Sequence, residues 1–168
     1  MSSGDTKQQA APRHRLVEVP IFARLPLPLL DELASVSRLR SYPAGQIFWN
    51  EGDAGDALLV LESGLLRVSR IGESGQEVVL SIVEAPAALG ELALLDDAPR
   101  SATVTAQRPV TVRLIPRSRF RELLRREPAA VDGLLKALAA MIRSGNERHA
   151  RTVGLDVPGR LAAWVLDH

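Results

Sequence analysis

Between Arg40 and Pro116 the chain is cut by glycine into short apolar runs, and this spacing constrains its fold more than any other feature. The runs are Gln46–Trp49, Ala57–Leu61, Leu65–Ile71, Glu77–Val83, Ser101–Ala106 and Val110–Ile115. Each has strand length rather than helix length. Between them stand Ala44-Gly45, Gly52-Asp53, Ala54-Gly55-Asp56, Ser63-Gly64 and Glu73-Ser74-Gly75, which supply the left-handed backbone positions of tight turns. Many short strands at near-regular spacing predict an antiparallel barrel or sandwich. One stretch breaks the rhythm: Gly90-Glu91-Leu92-Ala93-Leu94-Leu95 reads as a single helical turn between strands.

Helices flank this β region. Leu29, Leu30, Leu33 and Val36 recur at helical spacing within Pro20–Leu39, and Pro28 suits a first helical turn. After Pro116, Ser118–Arg126 reads as a short Arg-rich helix with Ser118 as its N-cap. Pro128 opens a longer helix through Ile142 and on towards Thr152, in which Ser144-Gly145-Asn146 predicts a kink or a C-cap. Met1–Arg15 is polar and aperiodic, which predicts a mobile tail over residues 1–15. The 168 residues suffice for one domain with a sizeable core.

Composition removes several functions. With 21 basic and 20 acidic residues, the chain lacks the strongly basic balance of a simple nucleic-acid binder. It has no cysteine, which excludes disulfides, thiolate metal sites and Cys nucleophiles. The richest apolar stretch, Leu134–Ile142, is far short of the roughly 20 residues of a membrane span. Met1–Arg15 has no apolar core for a secretory signal. A soluble, cytoplasmic protein without membrane contact is the expectation. His14, His149 and His168 have no metal-ligand spacing, and no Ser/His/Asp arrangement is visible, so neither a metal site nor an enzyme is expected. Arg113, Arg117, Arg119, Arg121, Arg125 and Arg126 read as a solvated helix face, Asp96-Asp97 as an exposed loop, and Trp49 and Trp164 as packing residues.

The informative stretch is Gly90–Val104. Gly90 lets backbone approach a ligand, and the turn after it presents free N–H groups to an anion. Arg100 adds a fixed positive charge with a fork suited to phosphate oxygens, and Ser101 adds a hydroxyl donor. Glu91 would repel a phosphate, so its natural partner is a neighbouring sugar hydroxyl. Together they suit a small anion beside a hydroxyl group.

This segment resembles the phosphate-binding cassette of the cyclic nucleotide-binding domain found in Crp–Fnr transcription regulators, cyclic-nucleotide-dependent kinases and gated channels. The resemblance covers residues 18–152, through Tyr42-Pro43-Ala44-Gly45-Gln46-Ile47-Phe48, Glu51-Gly52-Asp53, Gly64-Leu65-Leu66-Arg67-Val68, Gly75-Gln76-Glu77 and Pro99-Arg100-Ser101-Ala102-Thr103-Val104. It implies a mainly β, double-stranded β-helix (jelly-roll) over residues 16–127 with flanking helices. It also implies that Gly90, Glu91, Leu92, Ala93 and Ala102 line the sugar-phosphate, with Glu91 on the ribose 2′-OH and Arg100 and Ser101 on the cyclic phosphate. Ser81 falls where bacterial members approach the base. The other base-contacting positions are taken by Gly145 and Asn146, of which only Asn146 has a side chain to offer. The implied ligand is a cyclic nucleotide, cAMP before cGMP.

Val131, Leu134, Leu135, Leu138, Met141 and Ile142 form an apolar stripe of heptad-like rhythm. With Gly145 it is the expected seam of a homodimer, over a dimerisation helix at 128–153. Leu155-Asp156-Val157-Pro158-Gly159-Arg160 resembles the hinge of the Crp–Fnr regulators, so residues 154–168 read as a hinge and the first helix of a winged helix-turn-helix domain. The sequence stops at His168, before a recognition helix, so DNA contact is expected only through that further domain. Two alternatives stand beside this reading: a dimerisation domain of the same fold that binds no ligand, and the regulatory part of a cyclic-nucleotide-dependent enzyme.

Overall fold

The computed structural model describes the backbone of residues 12–154 and the side chains of residues 15–147. Most of the tail and hinge assignments, and the readings of His14, His149, His168 and Trp164, lie outside the described residues. The elements run α1 (Pro12–Val17), α2 (Leu27–Val36), β1 (Arg38–Tyr42), β2 (Ile47–Trp49), β3 (Ala57–Ser63), β4 (Leu65–Ile71), β5 (Glu77–Glu84), β6 (Ala87–Leu89), α3 (Glu91–Leu95), β7 (Thr103–Ala106), β8 (Val110–Pro116), α4 (Arg117–Arg126) and α5 (Pro128–Gly154). The strands form two four-stranded antiparallel sheets, ordered β1-β8-β3-β6 and β2-β7-β4-β5. This is the antiparallel β architecture expected from the glycine spacing, and the jelly-roll that the resemblance implies.

Strand β3 explains how one small roll carries two cores. Leu58 and Val60 pack among the helices with Leu16, Phe22, Leu30 and Phe120. Leu59 and Leu61 face the other way, into the roll, with Trp49, Leu66, Val104 and Val112. Successive side chains of a strand point to opposite faces, so a strand covered on both sides must be apolar throughout. Glu62 follows on the same strand and is paired with Arg113 of β8, both fully enclosed. Arg113 therefore belongs to the interior and not to a solvated basic face.

Several elements differ from the sequence expectation. Helix α2 is shorter than Pro20–Leu39: it opens after Pro26 and stops before Ser37, whose hydroxyl donates to the Leu33 carbonyl at 2.7 Å. Arg38–Tyr42 then pairs with β8 from Arg38↔Leu114 to Tyr42↔Val110. Backbone pairing with a distant strand overrides the remaining helical periodicity. Strand β6 has only three residues and exists through its pairing with Leu59–Leu61 of β3. Helix α1 begins at Pro12, inside the segment read as a tail, and Leu16 is buried. Ser118 does not cap α4, which starts one residue earlier, after Pro116, without a side-chain cap.

Helix α5 continues through Gly145, so Ser144-Gly145-Asn146 is not the C-cap that was one of its two expected roles. Its apolar stripe is divided. Leu134 is 4% exposed and belongs to the helical core with Ala130, and Leu138 packs partly against it. Val131, Leu135, Met141 and Ile142 stay exposed. Leu134 is thus a core residue rather than part of a free seam. Leu134→Ala is expected to cost about 2–4 kcal/mol of folding stability, and Leu135→Ala, at a site 60% exposed, under about 0.5 kcal/mol in the monomer. Denaturant melts of dilute protein check the contrast.

Candidate functional site

A cavity of about 630 Å³ lies between the α3 segment, strand β5 and the first half of α5. Its polar wall carries Glu91, Arg100 and Ser101, and its apolar wall includes Leu80, Ile82, Leu138 and Met141. Gly90, Leu92, Ala93, Ala102 and Ser81 also line it. Every ligand residue expected from the sequence is therefore brought together except Asn146. That residue is exposed, lies beyond Met141 on α5, and is not part of the cavity wall. An unbroken helix carries it past the mouth.

Arg100 is 3% exposed, which is rare for an arginine without matched partners. Nη1 donates to the Gly90 carbonyl at 2.9 Å and Nη2 to the Ala57 carbonyl at 2.7 Å. Nη2 also lies 3.4 Å from the Asp56 carboxylate. The guanidinium carbon sits 4.0 Å from the centre of the Trp49 ring, and Nε has no hydrogen-bond partner. Burial pulls the guanidinium's pKa down, while Asp56 and then Glu91 oppose that shift. An arginine remains charged under these conditions. The site thus keeps a desolvated cation with unused donor capacity.

Gly90 makes this arrangement possible. It precedes α3 with φ +88°, and a Cβ there would overlap Arg100 Nη1 and lie 3.1 Å from Trp49 Cη2. Glu91 follows and is 6% exposed. Burial raises its pKa above the ordinary carboxyl value; the backbone N–H groups of Glu91 and Gly90 and the charge of Arg100 act against that rise. One acceptor and one cation therefore face a common space, a pairing suited to a ligand with a hydroxyl beside an anion.

A family model for the cyclic nucleotide-binding domain matches residues 39–127. The chain belongs to this family. Among relatives of the cyclic nucleotide-binding domain here is the CRP-like cAMP-activated global transcriptional regulator of Mycobacterium tuberculosis, 31% identical over 125 residues. That match covers 74% of this chain and 56% of the relative. A cAMP-dependent protein kinase regulatory subunit of Yarrowia lipolytica is 38% identical over 109 residues, covering 65% of this chain and 28% of the relative. The crystal structure of the Thermus thermophilus catabolite activator protein superposes with a TM-score of 0.68 at 31% identity, over 77% of this chain and 61% of that one. The chain spans little more than half the length of the M. tuberculosis relative.

The cyclic nucleotide-binding domain also holds contacts that its sequence did not announce. Arg121 Nε donates to the Leu94 carbonyl at 2.8 Å, and Arg121 Nη2 reaches Asp97 Oδ1 at 2.8 Å. Arg117 pairs with the same carboxylate, and its backbone N–H donates to the Asp56 carbonyl at 2.8 Å. Two arginines of the supposed solvated face instead fasten the end of α3 to α4. Asp56 and Trp49 were missed as site residues because each lies more than 40 positions from Arg100 in sequence; the Gly55-Asp56 turn was the available signal for the first. No helix of the described residues is long and apolar enough to cross a membrane.

The raised pKa of Glu91 gives a signed prediction. Its folded pKa exceeds its unfolded one, so the stabilisation it brings is present in acid and is lost as pH rises through the folded pKa. Glu91→Gln is expected to melt higher than the parent near neutral pH. That advantage should shrink as pH falls towards about 4.3, the ordinary Glu value, in a series of thermal melts without ligand.

Proposed function

We propose that this chain is the sensing half of a transcription regulator, binding a cyclic mononucleotide, with cAMP as its ligand. In this reading Arg100 and Ser101 hold the cyclic phosphate, and Glu91 accepts from the ribose 2′-OH. The backbone around Gly90, Leu92, Ala93 and Ala102 encloses the sugar-phosphate, and Ser81 faces the base. The cAMP assignment is supported by the M. tuberculosis and Y. lipolytica relatives, both named for cAMP. The domain is regulatory and carries out no chemistry on the nucleotide. It acts in the cytoplasm.

The observation that carries the regulatory reading is that α5 forms part of the ligand cavity, through Leu134, Ala137, Leu138 and Met141. A ligand in that cavity touches the helix directly. Val131, Leu135 and Ile142, 37%, 60% and 65% exposed, lie on one face of the same helix. With Gly145 a turn further on, they form the seam of a homodimer. Ligand binding then resets α5 and, through residues 154–168, a winged DNA-binding domain beyond them. Such a reset requires that the ligand bind the two settings of the helix with different affinity.

Hydrogen exchange with and without saturating cAMP or cGMP tests this. Slower exchange is expected in β5, in residues 90–102 and along α5, at lower cAMP than cGMP. Exchange along α5 that neither nucleotide alters would overturn the sensor reading; exchange unaltered in β5 and in residues 90–102 as well would leave a dimerisation domain of the same fold that binds no ligand.

A further inference from the structure

We propose that Trp49 is a positioning residue for the anion-binding guanidinium of Arg100, restraining it through its face without using any of its in-plane donors. This rests on the nucleotide-binding reading above. Trp49 ends β2, opposite Val104 of β7. Its indole is itself fixed, because Nε1–H donates to the Ala102 carbonyl at 3.1 Å. Ring and guanidinium are thus tied to the same strip of chain, residues 100–102. The guanidinium carbon lies 4.0 Å from the ring centre, well inside the roughly 6 Å reach of a cation–π contact.

The geometry of the two kinds of contact makes the division of labour. An aromatic ring attracts a guanidinium through the flat face, whereas all five N–H donors lie in the plane. Stacking therefore restrains Arg100 without using a donor. The in-plane inventory agrees: Nη1 and Nη2 reach two backbone carbonyls, and Nε, inside a residue 3% exposed, has no partner. A phosphate that takes in-plane donors leaves the stack in place as the remaining restraint. Gly90 fits the same purpose, because a Cβ there would overlap Arg100 Nη1 and crowd Trp49 Cη2. An aliphatic residue would keep apolar contact in part of this space but offers no negative face to the cation.

Trp49→Phe keeps an aromatic face and Trp49→Leu keeps only apolar bulk, so calorimetric titration of the full chain with cAMP separates the roles. The expected order is parent, then Phe, then Leu, with Leu weaker than Phe by roughly 3- to 30-fold, each variant titrated well below its own melting temperature because Trp49 is also a core residue. Equal affinities of the Phe and Leu variants would sink the proposal while leaving nucleotide binding intact. If the parent binds neither cAMP nor cGMP at millimolar concentration, the functional reading and this proposal fall together. A second measurement requires no variant at position 49: NMR of the arginine side-chain N–H signals in the parent protein, with the Arg100 signal assigned by Arg100→Lys. The Arg100 Nε–H signal is expected upfield of the other arginines through the ring current of the indole, and still upfield with cAMP bound. An unshifted signal in either state would contradict the proposal.

Discussion

Arg100→Ala is expected to abolish nucleotide binding, lowering affinity at least about 100-fold. The estimate follows from two charge-assisted hydrogen bonds to phosphate oxygens, each contributing about 1.5–3 kcal/mol. In the folded protein the same substitution releases the Gly90 and Ala57 carbonyls from their donors, so part of its effect is on stability. That loss is offset because a desolvated cation is removed with it. A modest fall in melting temperature beside a complete loss of calorimetric binding is the predicted pattern. Arg100→Lys restores the charge but not the fork, and a single ammonium cannot span both carbonyls and an anion. It should recover less than a tenth of the parent's affinity. Near-parental binding by either variant would mean that the phosphate sits elsewhere.

Gly90→Ala adds one methyl group and no charge, yet its expected effect is second only to that of Arg100→Ala. The residue has φ +88°, a conformation costing a non-glycine residue roughly 1–2 kcal/mol. Its Cβ would also overlap Arg100 Nη1 and crowd Trp49. The guanidinium must then move, and affinity should fall at least about ten-fold in addition to the loss of stability expected of strain. Gly75→Ala is the matched control. It has a similar φ of +77°, but an added Cβ would meet nothing within 4 Å. Its stability should fall by a similar strain cost while calorimetric affinity for cAMP stays at the parent value. Equal loss of affinity in both variants would show that backbone strain, not displacement of Arg100, governs binding.

The parts of this fold that were legible in sequence are those fixed by local chemistry. Glycines at turns, an apolar run of strand length and a proline at a helix start each declare themselves within a few residues. The cassette from Gly90 to Ala102 was readable for the same reason, since glycine, acid, arginine and serine lie within twelve consecutive positions. What was not legible depends on distant partners. Strand β1 exists because β8 pairs with it, and β6 because β3 does. Arg100 is held by Ala57 and Asp56, more than 40 positions away. The stripe on α5 looked uniform because periodicity shows an apolar face but not what covers it. Packing assigns Leu134 to the core and leaves Leu135 exposed. Asn146 was placed at the base by resemblance; the continuous helix carries it away from the cavity.

The central claim is that the cavity between Glu91 and Arg100 is a cyclic nucleotide site. Calorimetric titration of the unaltered protein with cAMP and, separately, cGMP tests it most directly. Saturable binding of one cAMP per chain is expected, with a dissociation constant well below millimolar, and weaker binding of cGMP. An absence of binding heat from both nucleotides at millimolar concentration, across several temperatures so that a zero enthalpy cannot hide it, would contradict the account.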